Sequence, residues 1–160
     1  MNYHTFYPSP MGEILLVSDG AALNNLRLSD TPPDGMHNPD LDVFTQTRHW
    51  LDDYFAGRNP DPSPLPLAPG GTPFQKEVWQ LLRSIPYGRL TTYGEIAREL
   101  AVSRGMRKMS AQAVGQAVGR NPIWIIIPCH RVLGARCQLT GYAGGLEKKI
   151  WLLQHEGHNY

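Results

Sequence analysis

Cys129 and His130 are the residues of this chain whose types and adjacency could do chemistry together. A thiol is a strong nucleophile only as the thiolate, so it needs a base or a lowered pKa. An imidazole can be that base near neutral pH. Adjacency does not prove contact, because neighbouring side chains need not face one another. It does place a candidate nucleophile and a candidate base on one short turn. The apolar run from Ile123 to Ile127 precedes them and reads as a buried extended segment. Pro128 cannot donate a backbone hydrogen bond and ends that segment. The bland alternative is that Cys129 is an inert core residue and His130 a surface or capping one, which is the commoner case for such residues singly.

The elements that must position this pair fall into two parts. Residues 2–8 and 13–28 read as short strands, with Asp19-Gly20 as a hairpin signal between Glu13–Ser18 and Ala21–Leu28. Residues 31–40 are rich in Pro, Asp and Asn and read as loop. The spacing of Phe44, Leu51 and Phe55, with Trp50 and Tyr54 beside them, predicts a helix over 41–55 that Gly57 closes. Residues 60–70 hold five prolines and cannot be helical, so they read as a linker between lobes or an extended strap. The division expected is an N-terminal α/β lobe over 1–60, a Pro-rich linker over 61–71 and a C-terminal domain over 72–160.

The C-terminal part opens with Thr72-Pro73-Phe74-Gln75, which has a capping Thr, a Pro at the first helical position and a Gln three residues after the cap. That helix is expected to bury Phe74, Val78, Leu81, Leu82 and Ile85 and to end at Pro86-Tyr87-Gly88. Thr92-Tyr93-Gly94-Glu95 is a second capping box, opening a helix to about Leu100. Arg104, Arg107 and Lys108 make a basic connector. Ser110 caps a third helix over 111–119, in which Ala111, Ala113, Gly115, Ala117 and Gly119 are all small. Each helical Gly costs about 1 kcal/mol relative to Ala. Such a helix admits a close backbone, either a neighbouring helix or a nucleic acid.

Composition sets the outer bounds. A chain of 160 residues with 41% apolar content and a net charge of +1 reads as an ordinary soluble globular protein. No stretch has transmembrane length and no signal-peptide pattern is present, so a cytoplasmic location without membrane contact is expected. The charge is uneven. Residues 1–71 carry 3 Lys/Arg against 9 Asp/Glu, while residues 72–160 carry 12 against 5, which suits a polyanionic partner for the second part. Cys129 and Cys137 are expected to be free thiols in a reducing compartment, and no Cys/His spacing suggests zinc.

Pro128-Cys129-His130-Arg131-Val132, with Asn121-Pro122 before it, resembles the active-site signature of the O6-alkylguanine-DNA alkyltransferases. Thr91–Ala97, Ala113–Gly115, Thr140–Gly145 and Trp151–Gly157 resemble further blocks of that family in the same order, so the likeness covers most of residues 72–160. The first 70 residues match more weakly, mainly through Ser9–Gly12. The resemblance implies an α+β protein, with a ribonuclease-H-like lobe carrying a small antiparallel sheet and a winged helix-turn-helix-like helical lobe. It implies DNA repair by irreversible, stoichiometric transfer of the alkyl group of O6-methylguanine, and of O4-methylthymine, to the protein's own cysteine. By position, Cys129 is the acceptor, His130 the base acting through a water, Glu156 the carboxylate orienting His130, and Asn121 the residue holding that network in register. Tyr93 matches the proton donor that also aids base extrusion. Gln112, Ala113, Gly115 and Arg120 fall on the minor-groove helix, and Trp124, Val132, Tyr142, Ala143 and Gly144 around the flipped base. The implied partner is double-stranded DNA with alkylated bases, bound by a monomer that uses neither cofactor nor metal.

Two readings compete with this. Alkyltransferase-like relatives bind lesions without a cysteine, which Cys129 argues against. A helix-turn-helix regulator would explain charge and helices but not Cys129, His130 and Glu156 together. Two departures from the family pattern matter. Gln112 stands where an Arg usually fills the gap left by the extruded base, and it lacks the charge, reach and stacking of a guanidinium. Trp124 stands where several members have a small residue or proline. Should Trp124 narrow the pocket mouth, O6-benzylguanine in DNA will react more slowly than O6-methylguanine, and Trp124→Ala will reverse the preference. Equal single-turnover rates in the parent would sink that expectation.

Overall fold

The computed structural model describes residues 2–139, 142 and 144–160, excluding the side chain of Cys137. The fold is α+β, and the chain divides into two compact units, one of residues 1–70 with 122–126 and the other of residues 71–121 with 127–160.

In the first unit, strands β1 (Tyr3–Ser9), β2 (Gly12–Ser18) and β3 (Leu23–Leu28) form an antiparallel meander. The β2–β3 turn forms at the expected Asp19-Gly20. Asp19 Oδ1 accepts from the amides of Ala21 and Ala22, and Gly20 takes φ +105°. Ile14, Leu15, Leu16 and Val17 are all buried, so β2 is covered on both faces as a central strand. A two-residue strand β4 (Met36–His37) lies parallel to β1, giving the order β3-β2-β1-β4. This strand falls inside the stretch expected to be loop, because its pairing is supplied by β1 and not by local composition. Helix α1 (Asp42–Phe55) buries Phe44, Trp50, Leu51 and Tyr54 as its periodicity requires, and Tyr7 donates its hydroxyl to Asp52 at 2.6 Å. Gly57 closes the helix at φ +82°. In the Pro-rich stretch Leu65 is buried, and Leu23 exchanges backbone hydrogen bonds with Pro66 and Ala68.

The run Ile123–Ile127 is not the extended segment its composition suggested. Only Ile123 makes a strand-like bridge, to Leu26. The amide of Ile126 then donates to the Trp124 carbonyl at 2.7 Å, closing a three-residue turn about Ile125 at φ +70°. A β-branched residue is rarely held there. Burial of an apolar run does not distinguish a strand from a compact turn, since both remove the same side chains from water.

In the second unit, α2 (Pro73–Arg83) begins with the expected capping box: Gln75 N donates to Thr72 Oγ1 and Thr72 N to Gln75 Oε1. Its buried residues are Val78, Trp79 and Leu82, whereas Phe74, Leu81 and Ile85 are only half-buried. The Phe74 ring lies under the Arg104 guanidinium. Short strand β5 (Thr91–Thr92) leads into α3 (Tyr93–Ser103). Its cap is half of the expected box: Thr92 accepts from Glu95 N, but the Glu95 carboxylate accepts from Thr91 Oγ1. Helix α4 (Ala111–Gly119) has the expected bounds, with Ser110 accepting from Ala113 N. A 3-10 turn (Cys129–Arg131) precedes β6 (Val132–Leu133), which pairs in parallel with β5. Helix α5 (Leu146–His155) ends the unit.

The Trp79 indole N–H donates to the Ala117 carbonyl at 2.8 Å, tying α2 to α4 in the core. Trp79→Phe keeps an aromatic ring but leaves that carbonyl without this donor. Chemical denaturation is expected to show a loss of about 1–3 kcal/mol.

Candidate active site

The chain reaches Cys129 through a second three-residue turn. The amide of Cys129 donates to the Ile127 carbonyl at 2.8 Å, about Pro128 at φ −82° and ψ 66°. A fixed proline φ suits that geometry. Arg131 N then bonds Pro128 O and Val132 N bonds Cys129 O, so the cysteine starts a tight helical turn. At its beginning the segment is held by Asn121, whose side-chain amide donates to Ile127 O at 2.8 Å. At its end it is held by Lys149, whose Nζ donates to Val132 O at 2.7 Å.

Glu156, at the C-terminal cap of α5, gathers the charged groups. His130 Nε2 lies 2.6 Å from its Oε2. Arg131 grips the same carboxylate with two hydrogen bonds, Nε to Oε1 at 2.8 Å and Nη2 to Oε2 at 3.1 Å. Arg131 Nη1 also donates to the Ile85 carbonyl at 2.7 Å, and the guanidinium lies over the Tyr87 ring. Every buried polar or charged side chain of this unit, among the described residues, belongs to this cluster: Asn121, His130, Arg131, Lys149 and Glu156. Buried polar groups are costly unless satisfied, so their concentration at one place makes this cluster the candidate site.

The protonation states follow from burial and partners. Burial pushes Glu156 up, but the hydrogen bonds from His130 and Arg131 and the Arg131 charge reverse this and hold it well below the usual carboxylate range. It is therefore ionised. Burial lowers His130 below its ordinary value, outweighing the pull of Glu156, so the imidazole is neutral at pH 7. An ionised carboxylate accepts only, which makes Nε2 the protonated nitrogen. Nδ1 keeps its lone pair, is buried, and takes no hydrogen bond from the described residues. Burial pushes the Cys129 thiol up, offset in part by hydrogen bonds with Asn121 and Tyr142 and by the Lys149 charge. The resting cysteine is a neutral thiol. Tyr142 is likewise raised well above its ordinary value, first by burial and then by Cys129.

The structure thus brings together Cys129, His130, Glu156, Asn121 and Tyr142. Val132 is buried beside them in sequence, and Gly144 is half-buried. Ala143, like Thr140 and Gly141, lies outside the described residues. Tyr93 opens α3 with its ring toward Gly115, where an added Cβ would meet it at 3.7 Å. Gln112 and Arg120 are exposed on α4, and Ala113 is half-buried there. An open trough runs between Phe74 and Gln75 of α2 and Ala113, Gln116 and Arg120 of α4; Cys129 does not line it. Trp124 is half-buried and groups with the first unit, where its amide bonds Leu26 O. Among the described residues no cluster of three or more His, Cys, Asp or Glu could hold a metal.

Two members of the cluster escaped the sequence reading. Arg131 sits inside the quoted signature but was given no role. Lys149 was passed over as a charge, although Lys149, Leu152, Leu153 and Glu156 recur at i, i+3, i+4 and i+7, a spacing that puts the lysine on the buried stripe of α5.

Comparison with known proteins shows which family the chain is related to. Residues 73–158 match the family described as 6-O-methylguanine DNA methyltransferase, DNA binding domain, and residues 2–69 match its ribonuclease-like domain. A methylated-DNA–protein-cysteine methyltransferase of Haemophilus influenzae is 46% identical over 158 residues, covering 96% of this chain and 86% of that protein. One from Methanosarcina acetivorans is 42% identical, covering 97% and 98%. The crystal structure of Mycobacterium tuberculosis OGT in complex with DNA superposes with a TM-score of 0.81 at 40% identity, covering 96% and 92% of the two chains. With both parts of the chain matched and identity this high over nearly its whole length, the chain belongs to the 6-O-methylguanine DNA methyltransferase family.

Proposed function

We propose that this protein repairs DNA by moving the methyl group of O6-methylguanine, and of O4-methylthymine, onto its own Cys129. The observation that carries this reading is the arrangement around one buried thiol: a neutral imidazole next to it in sequence, oriented by an ionised carboxylate that an arginine locks in place. The curated relatives are named for transfer to a protein cysteine.

In the proposed reaction the S–H bond of Cys129 breaks and its proton passes through a water to His130 Nδ1. The imidazolium so formed is stabilised by Glu156 through Nε2–H. Arg131 has a specific consequence here. By sharing the carboxylate it helps keep Glu156 ionised and weakens its pull on His130, while burial is the main reason that the imidazole rests neutral and can accept a proton. Sγ then attacks the methyl carbon as the carbon–O6 bond breaks, and the electron pair leaves with the guanine. Tyr93 supplies a proton toward the departing base. Solvent carries the proton from the His130 imidazolium to the Tyr93 phenolate, so the net change is thiol plus O6-methylguanine to thioether plus guanine, with one proton in place of the methyl on the base. A neutral methyl thioether offers no good leaving group for a water to displace, so each molecule acts once.

The target atom lies inside the duplex, so the nucleotide must be extruded at a cost of a few kcal/mol. The excess of 12 Lys/Arg over 5 Asp/Glu in residues 72–160 suits the phosphate backbone. In this reading α4 enters the minor groove with Gln112, Ala113, Gly115 and Arg120, whose degenerate code suits a protein that must tolerate any flanking sequence. Gln112 fills the gap in the stack, and Val132, Tyr142, Ala143 and Gly144 cradle the base. The protein acts as a monomer in the cytoplasm, and no helix among the described residues is long and apolar enough to cross a membrane.

Mixing the protein with duplex DNA carrying one O6-methylguanine is expected to add one methyl to the Cys129 peptide, read by intact and peptide mass, and Cys129→Ala abolishes it. An unchanged mass with tight lesion-selective binding would leave a lesion binder instead. The pH dependence separates relay from free thiolate. With His130 held below 6.5 and Cys129 above 9.0, a relay predicts a single-turnover rate that is level between those values and falls only as His130 protonates. In His130→Gln only pre-formed thiolate reacts, and the rate should climb about tenfold per pH unit. The same climb in the parent would remove His130 as the base.

A further inference from the structure

Lys149 is fully buried on α5, and the mechanism above makes no use of it. A lysine is rarely enclosed without a task, because taking an ammonium out of water is costly. Its Nζ donates to the carbonyl of Val132 at 2.7 Å. Val132 closes the 3-10 turn that Cys129 opens, its amide bonding Cys129 O. The ammonium is thereby fixed on the turn that carries the thiol.

The other charges at the thiol are disposed differently. Arg131 is committed to Ile85 O and to Glu156, the carboxylate that also meets His130 Nε2. Glu156 is negative, and His130 is neutral until it takes the proton. Asn121 and Tyr142 meet Cys129 with uncharged groups. When the proton leaves Sγ, a negative charge forms in a buried site. A fixed ammonium in such surroundings is worth far more than in water.

We propose that Lys149 is a positioning residue for the transfer and the electrostatic partner of the Cys129 thiolate. It holds the Val132 carbonyl in the resting protein and stabilises the charge on Sγ as the S–H bond breaks. This rests on the reading of Cys129 as the acceptor. The mutual influence of the two groups agrees with it: burial lowers Lys149 and Cys129 pulls it back up, while Lys149 pulls Cys129 down against burial.

The test separates charge from support. Lys149→Met removes both the charge and the donor, Lys149→Gln removes the charge and keeps a donor, and Lys149→Arg keeps both. Methionine suits a buried site and avoids burying a charge, so the fold should persist, as thermal melting would check. The Cys129 titration is read from thiolate ultraviolet absorbance, as the difference between each protein and its Cys129→Ser counterpart. The Met and Gln variants are expected to titrate about one pH unit or more above the parent, with methyl transfer at pH 7 slowed about tenfold, one unit being a tenfold change in thiolate. The Arg variant should stay near the parent in both. An unchanged titration in Met and Gln overturns the proposal, even where the rate falls, because Lys149 then only holds the turn. The titration is read without DNA, so a parent that takes no methyl from DNA counts against Cys129 as acceptor and leaves the Lys149 pairing to be judged separately.

Discussion

The carboxylate of Glu156 is claimed by two side chains, His130 and Arg131, and the rest of the site depends on that sharing. A buried carboxylate with one neutral neighbour would protonate; one with a single arginine would be a structural ion pair. Held by both His130 and Arg131, it stays ionised and still orients the imidazole. Removing one partner from such a buried set typically costs about 3–5 kcal/mol, because the remaining charge loses its compensation. The cluster is therefore a unit, and it brings together residues from the turn after Pro128 and from the end of α5, some 25 positions apart.

Backbone geometry decides where the thiol sits in that unit. Two three-residue turns stand in close succession, one about Ile125 and one about Pro128, each closed by its own amide-to-carbonyl bond. The first holds a β-branched residue at φ +70°, a conformation worth about 1–3 kcal/mol of strain that surrounding packing must offset. The second uses a residue whose φ is already restricted, so it comes at little cost. Asn121 and Lys149 then pin the carbonyls of Ile127 and Val132, at either end of the signature. A side chain presented on a turn this constrained has little backbone freedom left to lose.

Local signals were read well where the physics is local. The Thr72 capping box, the Ser110 cap, the Asp19-Gly20 turn and the Gly57 stop each depend on a few adjacent residues, and each forms. The readings that failed depend on distant partners. Glu95 turned to Thr91 instead of completing its box, β4 exists because β1 is beside it, and Trp79 is buried because α4 offers it a carbonyl. Phe74, counted as core, lies half-exposed beneath Arg104.

The sequence by itself determined the family, through a signature and four further blocks in order, together with the helix and strand inventory and the names of Cys129, His130, Glu156 and Asn121 as the residues to examine. The inventory and the Cys129–His130 pair follow from residue type and spacing, whereas Glu156 and Asn121 follow only from their places in the family's blocks. Only the tertiary structure decided the protonation states and the company these residues keep. That the thiol rests neutral, that His130 points Nε2 at Glu156, and that Arg131 and Lys149 complete the cluster are consequences of burial and distance. A charge is tuned by what surrounds it in space, and the groups around Cys129 come from the segment after α4, the 3-10 turn, the Tyr142 segment and α5, whose convergence no local pattern records.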